Sequence, residues 1–212
     1  MKPLLVATTN PAKLGEYRLL LREYGLAPVS LREAGVDDHA PEETGASFAE
    51  NALLKASFYF ARAKLPTLAD DGGLEVDALN GEPGVRSHRW LAGAGAAARG
   101  GLDRALAEEV IRRMAGVEPA RRGARLRAAA ALVYHEHGRL HERVSEAALE
   151  GVVADRVWPR MRAGFPYRAV LFLPGRGCYL GELSDEDAAR ISQRRAALEG
   201  LRADLRQIAD LH

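Results

Sequence analysis

Short apolar runs alternate with helical patterns in the first part of the chain. Residues 3–8 form an apolar run that ends in small polar residues, which predicts a buried strand. Pro11 then opens a helical pattern over residues 13–24, and Gly25 is expected to end it. A second strand is predicted at residues 28–31.

The next segment combines a helix-start signal with turn residues. Ser47 and Glu50 have the spacing of a capping box, which predicts a helix that runs to about Lys64. A short strand is predicted at residues 67–69. The two aspartates and two glycines at residues 70–73 then indicate a tight turn at the end of that strand.

The second half is predicted to contain a hairpin and further helices. Residues 93–101 are rich in glycine and alanine and indicate a loop, and residues 103–114 indicate a helix. Two β-capable runs flank a His-Glu-His-Gly turn, which predicts a hairpin. The runs are residues 125–134 and 139–146. Later elements are predicted as a strand at 169–173, a helix capped by Ser184 and a long helix over 191–211.

This order of elements predicts the fold class. Strands alternate with helices early and a hairpin follows, which is typical of an α/β fold with a mixed sheet. The length of 212 residues suits one domain, residues 1–212, built as two lobes with a boundary near residues 119–123.

Composition and charge exclude several classes of function. The net charge of +1 gives no global attraction to nucleic acid or to an anionic membrane. No apolar run of about 18 residues or more predicts a membrane span. Cys178 is the only cysteine, so a disulfide within the chain is excluded and a reducing cytoplasm is expected.

The junction after the first predicted strand has groups that suit a phosphate. A strand followed at once by a helix directs free backbone donors to one point, and the helix N-terminus adds positive potential. Lys13 lies one turn inside the helix, and three polar side chains precede it: Thr8, Thr9 and Asn10. The alternative is an ordinary helix cap with a solvated Lys13, and the junction alone leaves both open.

Two acidic pairs add the chemistry of a metal site. Glu42 and Glu43 precede the capped helix, and Asp70 and Asp71 follow a short strand. Mg²⁺ prefers oxygen ligands and is usually held by one or two carboxylates together with substrate phosphates. An adjacent carboxylate would accept a proton from an attacking water. The alternative is a solvated loop and a turn.

Four segments in order carry a family resemblance: ATTNPAK at 7–13, EETGASFAENA at 42–52, LADDGGLEVDAL at 68–79 and NGEPGVRSHR at 80–89. On these motifs the chain resembles the inosine/xanthosine triphosphate pyrophosphatase family, the Ham1-like proteins. The resemblance implies an elongated α/β structure with a mixed sheet and a cleft between two lobes. It also implies water attack at the α-phosphate, release of pyrophosphate, a Mg²⁺ cofactor and a homodimer.

The resemblance also assigns roles to residues. Asp71 and Lys13 would be catalytic, with Asp71 as the proton acceptor, and Glu42 and Asp71 would hold the metal. The nucleoside triphosphate would be bound by Thr8, Thr9, Asn10, Lys13, Gly72, Ser87, Arg89, Phe165, Tyr167, Gln193 and Arg194.

The chain departs from the family where the base is recognised. A phenylalanine–glycine–tyrosine–aspartate–proline stretch of the family is Phe165-Pro166-Tyr167-Arg168-Ala169 here. Ala188 replaces a lysine, Gln193 replaces a histidine, and Gly72 replaces a serine. Losing hydrogen-bonding groups that select a base changes specificity more than hydrolysis. The hypotheses are therefore a triphosphate pyrophosphatase with an altered or relaxed base preference, or a non-catalytic nucleotide-binding protein.

Overall fold

The structure is a computed structural model that describes residues 1–37, 39–87, 89–91 and 99–210. Its centre is a seven-stranded sheet with the order β2-β1-β3-β4-β5-β6-β7. The strands are β1 (Lys2–Val6), β2 (Leu26–Val29), β3 (Thr67–Val76), β4 (Gly123–Glu136), β5 (Arg139–Val153), β6 (Leu171–Leu173) and β7 (Cys178–Tyr179). β1 pairs in parallel with β2 and β3, whereas β6 pairs antiparallel with β5 and β7. The predicted mixed α/β fold is confirmed.

Six α-helices connect or follow these strands in the described residues. They are α1 (Pro11–Leu21), α2 (Phe48–Ala63), α3 (Arg99–Arg113), α4 (Asp185–Ile191), α5 (Gln193–Gly200) and α6 (Arg202–Asp210). Of these, α1, α2 and α5 begin after capping side chains. Ser47 caps α2, because its hydroxyl accepts from the N–H of Glu50 at 3.2 Å. Among the described residues, no helix is both long and apolar enough to cross a membrane.

The chain forms two compact units. The first contains residues 1–71, 128–147 and 192–212, and the second contains residues 72–127 and 148–191. The chain passes between the units inside β3, β4 and β5, and once more between α4 and α5 at residues 191–192. The boundary predicted near residues 119–123 is therefore wrong, since that segment lies within the second unit.

Each unit has its own buried apolar residues. Those of the first unit lie on β1, β4 and several helices, and they include Leu4, Tyr17, Leu21, Ala52, Tyr59, Leu132 and Leu198. Those of the second unit come from β3, α3 and the segments near β6 and include Leu74, Leu106, Val110, Met114, Val170 and Leu171. Apolar burial of this kind is the main stabilising contribution to such folds.

The predicted tight turn at residues 70–73 is wrong. β3 runs without interruption through all four residues, and each of them is buried. The glycines serve close packing instead: a Cβ on Gly73 would lie 1.9 Å from the Ser87 hydroxyl oxygen and 2.8 Å from the Gly84 carbonyl oxygen. A glycine where another segment approaches closely resembles a turn signal in sequence alone.

Other predicted boundaries shift for local reasons. Gly25 has a left-handed φ of 72° and ends the first helical segment, so β2 begins at once at Leu26. The predicted helix over 191–211 is divided, because Ser192 caps α5 and the helix breaks at Leu201. Residues 166–169 form a 3-10 helix that begins at Pro166. The strand predicted at 169–173 therefore starts only at Leu171, as β6.

Three predictions in the middle of the chain have different outcomes. The hairpin is confirmed with longer strands, and its turn has left-handed φ values at His137 and Gly138. The predicted helix at 103–114 is confirmed and begins earlier, at Arg99. Residues 93–98 of the predicted loop lie outside the described residues, and its last three residues, 99–101, belong to α3.

Candidate active site

Two consecutive aspartates on β3 lie at the centre of a buried group of charges in the first unit. Successive side chains on a strand point to opposite faces of the sheet. Asp70 accordingly pairs with Lys13 of α1, whereas Asp71 pairs with Lys55 of α2. Both carboxylates are buried, so each needs a nearby cation or hydrogen-bond donor to remain charged.

Asp70 is held from two sides. The Lys13 Nζ lies 3.2 Å from both of its carboxylate oxygens, and the Arg194 Nε donates to its Oδ2 at 2.9 Å. Burial alone would raise the pKa of Asp70, but the charges of Lys13 and Arg194 outweigh it and hold the pKa well below its usual value. Asp70 is therefore a permanent anion that orients two cations.

Lys13 is buried although it carries an ammonium group. Burial lowers its pKa from the usual value, and the charge of Asp70 opposes that shift. An ammonium has three donors, and among the described residues the hydrogen-bonding partner of Lys13 is Asp70. A buried ammonium with donor capacity left is suited to bind an anionic oxygen.

Asp71 belongs to a second network. Its Oδ1 lies 3.3 Å from the Lys55 Nζ, and its Oδ2 accepts from the Asn51 side chain at 3.3 Å. Lys55 also donates to Glu43 at 2.8 Å. Burial raises the pKa of Asp71 above the usual value, and the charge of Lys55 only partly opposes this. A carboxylate with a raised pKa is a stronger base, which suits a proton acceptor.

Asn10 acts as the cap of α1. Its side-chain oxygen accepts from the N–H groups of Ala12 at 2.9 Å and of Lys13 at 3.3 Å. Thr8 supports this turn, because its hydroxyl oxygen accepts from the N–H of Asn10 at 3.1 Å. Thr9 is exposed. The cap alternative is therefore correct for Asn10, while a phosphate role for this junction stays a prediction.

The acidic segment before α2 is arranged differently from what the sequence suggests. Glu42 is exposed, whereas Glu43 is the residue that Lys55 connects to Asp71. Across the described parts of the chain, no three His, Cys, Asp or Glu side chains are grouped so that they could hold a metal ion.

The predicted residues near the C-terminus of the first unit are buried. Gln193 is the first residue of α5, and Arg194 follows it. Besides its bond to Asp70, Arg194 donates through Nη1 to Glu16 at 3.1 Å. A residue predicted to bind the nucleotide is therefore joined to α1 and β3.

The other predicted site residues belong to the second unit. The Ser87 hydroxyl accepts from the N–H of Leu74 at 3.1 Å and donates to the Gly84 carbonyl at 2.6 Å. The Tyr167 hydroxyl donates to the carbonyl of Ser87 at 2.6 Å. Ser87 therefore fixes β3 and the turn after it.

The remaining predicted site residues of the second unit are Gly72, Arg89 and Phe165. The guanidinium carbon of Arg168 lies 3.8 Å from the centre of the Phe165 ring. Gly72 is buried within β3, and Arg89 is exposed. His88, part of the fourth motif, lies outside the described residues.

Three residues of these networks were not predicted as site residues: Lys55, Asn51 and Glu16. The signal available in the sequence is a lysine on the face of α2 that otherwise carries small and apolar residues, one turn after an asparagine. A charged residue on a buried helical face requires a partner, and here the partner is Asp71. Because Lys55 and Asp71 are 16 positions apart in the chain, a local sequence pattern does not reveal that they pair.

Comparisons with known proteins agree with this architecture. A model of the Ham1 family matches residues 4–204. A protein of Methylococcus capsulatus named dITP/XTP pyrophosphatase is 39% identical over 209 residues, covering 98% of each chain. A protein of Thermus thermophilus with the same name is 39% identical over 200 residues, covering 93% of this chain and 88% of that one.

A solved structure of a HAM1 protein from Coxiella burnetii is also similar. It is 31% identical, with a TM-score of 0.78, and the alignment covers 98% of this chain and all of that one. The match extends over both units, well beyond the four N-terminal motifs. The chain therefore belongs to the Ham1 family.

Proposed function

We propose that the chain hydrolyses nucleoside triphosphates to the nucleoside monophosphate and pyrophosphate. Relatives at 38–39% identity over nearly the whole chain are named dITP/XTP pyrophosphatases. The observation that carries the proposal is the pair of buried aspartates on β3, one joined to Lys13 and the other to Lys55. This arrangement supplies a cation for phosphate beside a basic carboxylate for water.

In this proposal the start of α1 and Lys13 bind the triphosphate. The N-terminal turn of a helix carries N–H donors and a positive potential that favours an anion. Lys13 adds a full charge within that turn, and Asp70 keeps the ammonium in place. Thr8 and Thr9 lie just before the helix and add hydroxyl donors.

Asp71 is proposed as the base of the reaction. It accepts a proton from a water molecule while the water oxygen forms a bond to the α-phosphorus. The bond between that phosphorus and the bridging oxygen breaks, and pyrophosphate leaves with the electron pair. Asn51 and Lys55 hold the Asp71 carboxylate in one orientation, and the raised pKa of Asp71 favours proton transfer to it.

Mg²⁺ is the proposed cofactor, and the oxygen donors of the first unit are suited to it. Glu43 and Asp71 both contact Lys55, and Glu42, which precedes Glu43 in the chain, is exposed. One or two carboxylates are enough for Mg²⁺ when substrate phosphates and water complete the coordination. The ion, when bound, would offset phosphate charge and lower the pKa of water.

Inosine and xanthosine triphosphates, with their deoxy forms, are the proposed substrates, recognised with a relaxed base preference. The names of the relatives support the purine class. Ala188 is buried and has no group that could bond to a base, and the Arg168 guanidinium lies over the Phe165 ring. A site with fewer base-selecting hydrogen bonds discriminates less, because a wrong base leaves fewer groups unpaired.

Pyrophosphate release from six nucleotides tests the proposal. Inosine, xanthosine and the four standard ribonucleoside triphosphates are incubated with and without Mg²⁺, and the Asp71→Asn variant is the control. We expect Mg²⁺-dependent release from several purine nucleotides and a loss of about 100-fold or more in the variant, within the range for general-base catalysis.

Three outcomes would contradict parts of this proposal. Full activity of Asp71→Asn would overturn the assignment of the base. Exclusive turnover of inosine and xanthosine nucleotides would overturn the relaxed preference. Tight nucleotide binding without any turnover would favour the non-catalytic alternative. A homodimer and a cytoplasmic location stay predictions, which light scattering and cell fractionation test.

A further inference from the structure

Arg194 has two carboxylate partners inside the first unit. Its Nε donates to Asp70 at 2.9 Å and its Nη1 donates to Glu16 at 3.1 Å. The exposed fractions of the three side chains are 6% for Arg194, 1% for Asp70 and 4% for Glu16. The guanidinium is therefore directed to protein carboxylates at two of its nitrogen atoms.

These bonds form part of a closed ring. Lys13 and Glu16 lie one turn apart on α1, Asp70 lies on β3 and Arg194 lies on α5. Starting from Lys13, the ring passes through Asp70 and Arg194 to Glu16 and returns along the helix backbone. Two anions and two cations balance one another, which buried charges require.

The ring restricts the position of the Lys13 ammonium. A lysine side chain has four flexible bonds, so a single carboxylate partner leaves it several orientations. Arg194 holds the Asp70 carboxylate through a planar group whose other side is anchored at Glu16. The Asp70 carboxylate therefore presents its oxygens to the Lys13 ammonium in a fixed orientation.

We propose that Arg194 is a positioning residue, which sets the Lys13 ammonium through Asp70. This inference rests on the proposed function, because it assumes that Lys13 binds phosphate. It goes beyond the nucleotide contact that the family resemblance suggests for Arg194.

The two roles predict different binding of a ligand that has no base. Inorganic tripolyphosphate offers three phosphates and nothing for a base-recognising residue to contact. We expect Arg194→Lys to weaken its binding by about 10- to 100-fold, the range known for groups that orient the ligands of a bound metal. Isothermal titration calorimetry on the whole chain measures this. Unchanged tripolyphosphate affinity would overturn the proposal.

The neighbouring residue provides a matched control. Arg195 lies on the same helix and pairs with Glu23 in a partly exposed contact. Arg195→Lys makes the same chemical change, and its tripolyphosphate affinity is expected to equal that of the wild type. If thermal unfolding shows that Arg194→Lys does not fold, Glu16→Gln replaces it as the test. This change weakens the anchor of the same guanidinium and should also weaken the binding of tripolyphosphate. No effect of Glu16→Gln would then overturn the proposal.

Turnover gives a second and independent readout. A positioning role predicts that Arg194→Lys lowers kcat/KM for both inosine and adenosine triphosphates, because both carry the phosphates that Lys13 is proposed to bind. A fall for only one of the two nucleotides would mean that Arg194 recognises the base and does not position Lys13. In a Lys13→Met background the Arg194→Lys change should have little further effect, because the group that it positions is gone.

Failure of the inference and failure of the proposed function are distinguishable. A wild-type chain that releases no pyrophosphate from any nucleotide contradicts the proposed function. The tripolyphosphate titration needs no turnover, so it still decides between a positioning role and a base-recognising role.

Discussion

Neighbouring residues of one strand differ in chemistry because their surroundings differ. Asp70 faces two cations, Lys13 and Arg194, and its pKa is lowered. Asp71 is also buried, but the charge of Lys55 does not outweigh burial, so its pKa is raised. The pKa values of the two aspartates are therefore shifted in opposite directions, a division that would serve the proposed role of Asp71 as the base.

Gly73 offers a residue-scale prediction about packing. A Cβ there would lie 1.9 Å from the Ser87 hydroxyl oxygen, which is itself bonded to Leu74 and Gly84. Because that hydroxyl has no free direction in which to move, we expect Gly73→Ala to lower the free energy of unfolding by about 1–3 kcal/mol. Urea denaturation measures the change.

Gly15 is the matched control for that substitution. It lies in α1, and nothing lies within 4 Å of a Cβ built on it. Gly15→Ala should therefore raise the free energy of unfolding by about 0.5–1 kcal/mol, since alanine favours a helix. Equal stability of the two variants would show that the close approach at Gly73 is relaxed in solution.

At the scale of elements, local signals in the sequence predicted more than long-range ones. Ser47 as a cap, Gly25 as a stop and the hairpin turn depend on neighbours within a few residues, and all three are present. The continuous β3 was missed, because Ser87 and Gly84 approach Gly73 only in the folded chain. Composition alone cannot distinguish that approach from a turn.

The start of α1 allows the cap role and the phosphate role of Asn10 to be separated. Asn10→Asp keeps an oxygen that accepts from Ala12 and Lys13, and an anion at a helix N-terminus adds about 0.3–1 kcal/mol of stability. The same charge would repel a bound triphosphate. We expect unchanged or higher stability with KM for inosine triphosphate raised about tenfold or more, since ~1.4 kcal/mol of repulsion corresponds to tenfold.

Asn10→Ser controls for loss of the amide without added charge. Serine also caps helices, so stability should fall little, and KM should rise less than in Asn10→Asp. Wild-type KM in both variants would show that Asn10 is a cap and nothing more. Thermal unfolding and steady-state kinetics give the two readouts.

At the scale of the whole molecule, the site joins distant parts of the chain. Lys13 and Asp70 are 57 positions apart, and Asp70 and Arg194 are 124 positions apart. The first unit gathers both chain ends, which explains how α1 and α5 meet at β3. Motifs in the sequence predicted Lys13, Asp71 and Arg194 as site residues, but not which residue each one contacts. Those pairings depend on the fold.

The reaction proposed for this chain is attack of water on the α-phosphate, with pyrophosphate as the leaving group. Hydrolysis of inosine triphosphate in ¹⁸O-labelled water with Mg²⁺, followed by mass spectrometry of the products, tests it most directly. We predict one ¹⁸O atom in inosine monophosphate and none in the pyrophosphate released. Label in pyrophosphate, or release of orthophosphate with inosine diphosphate, would contradict it.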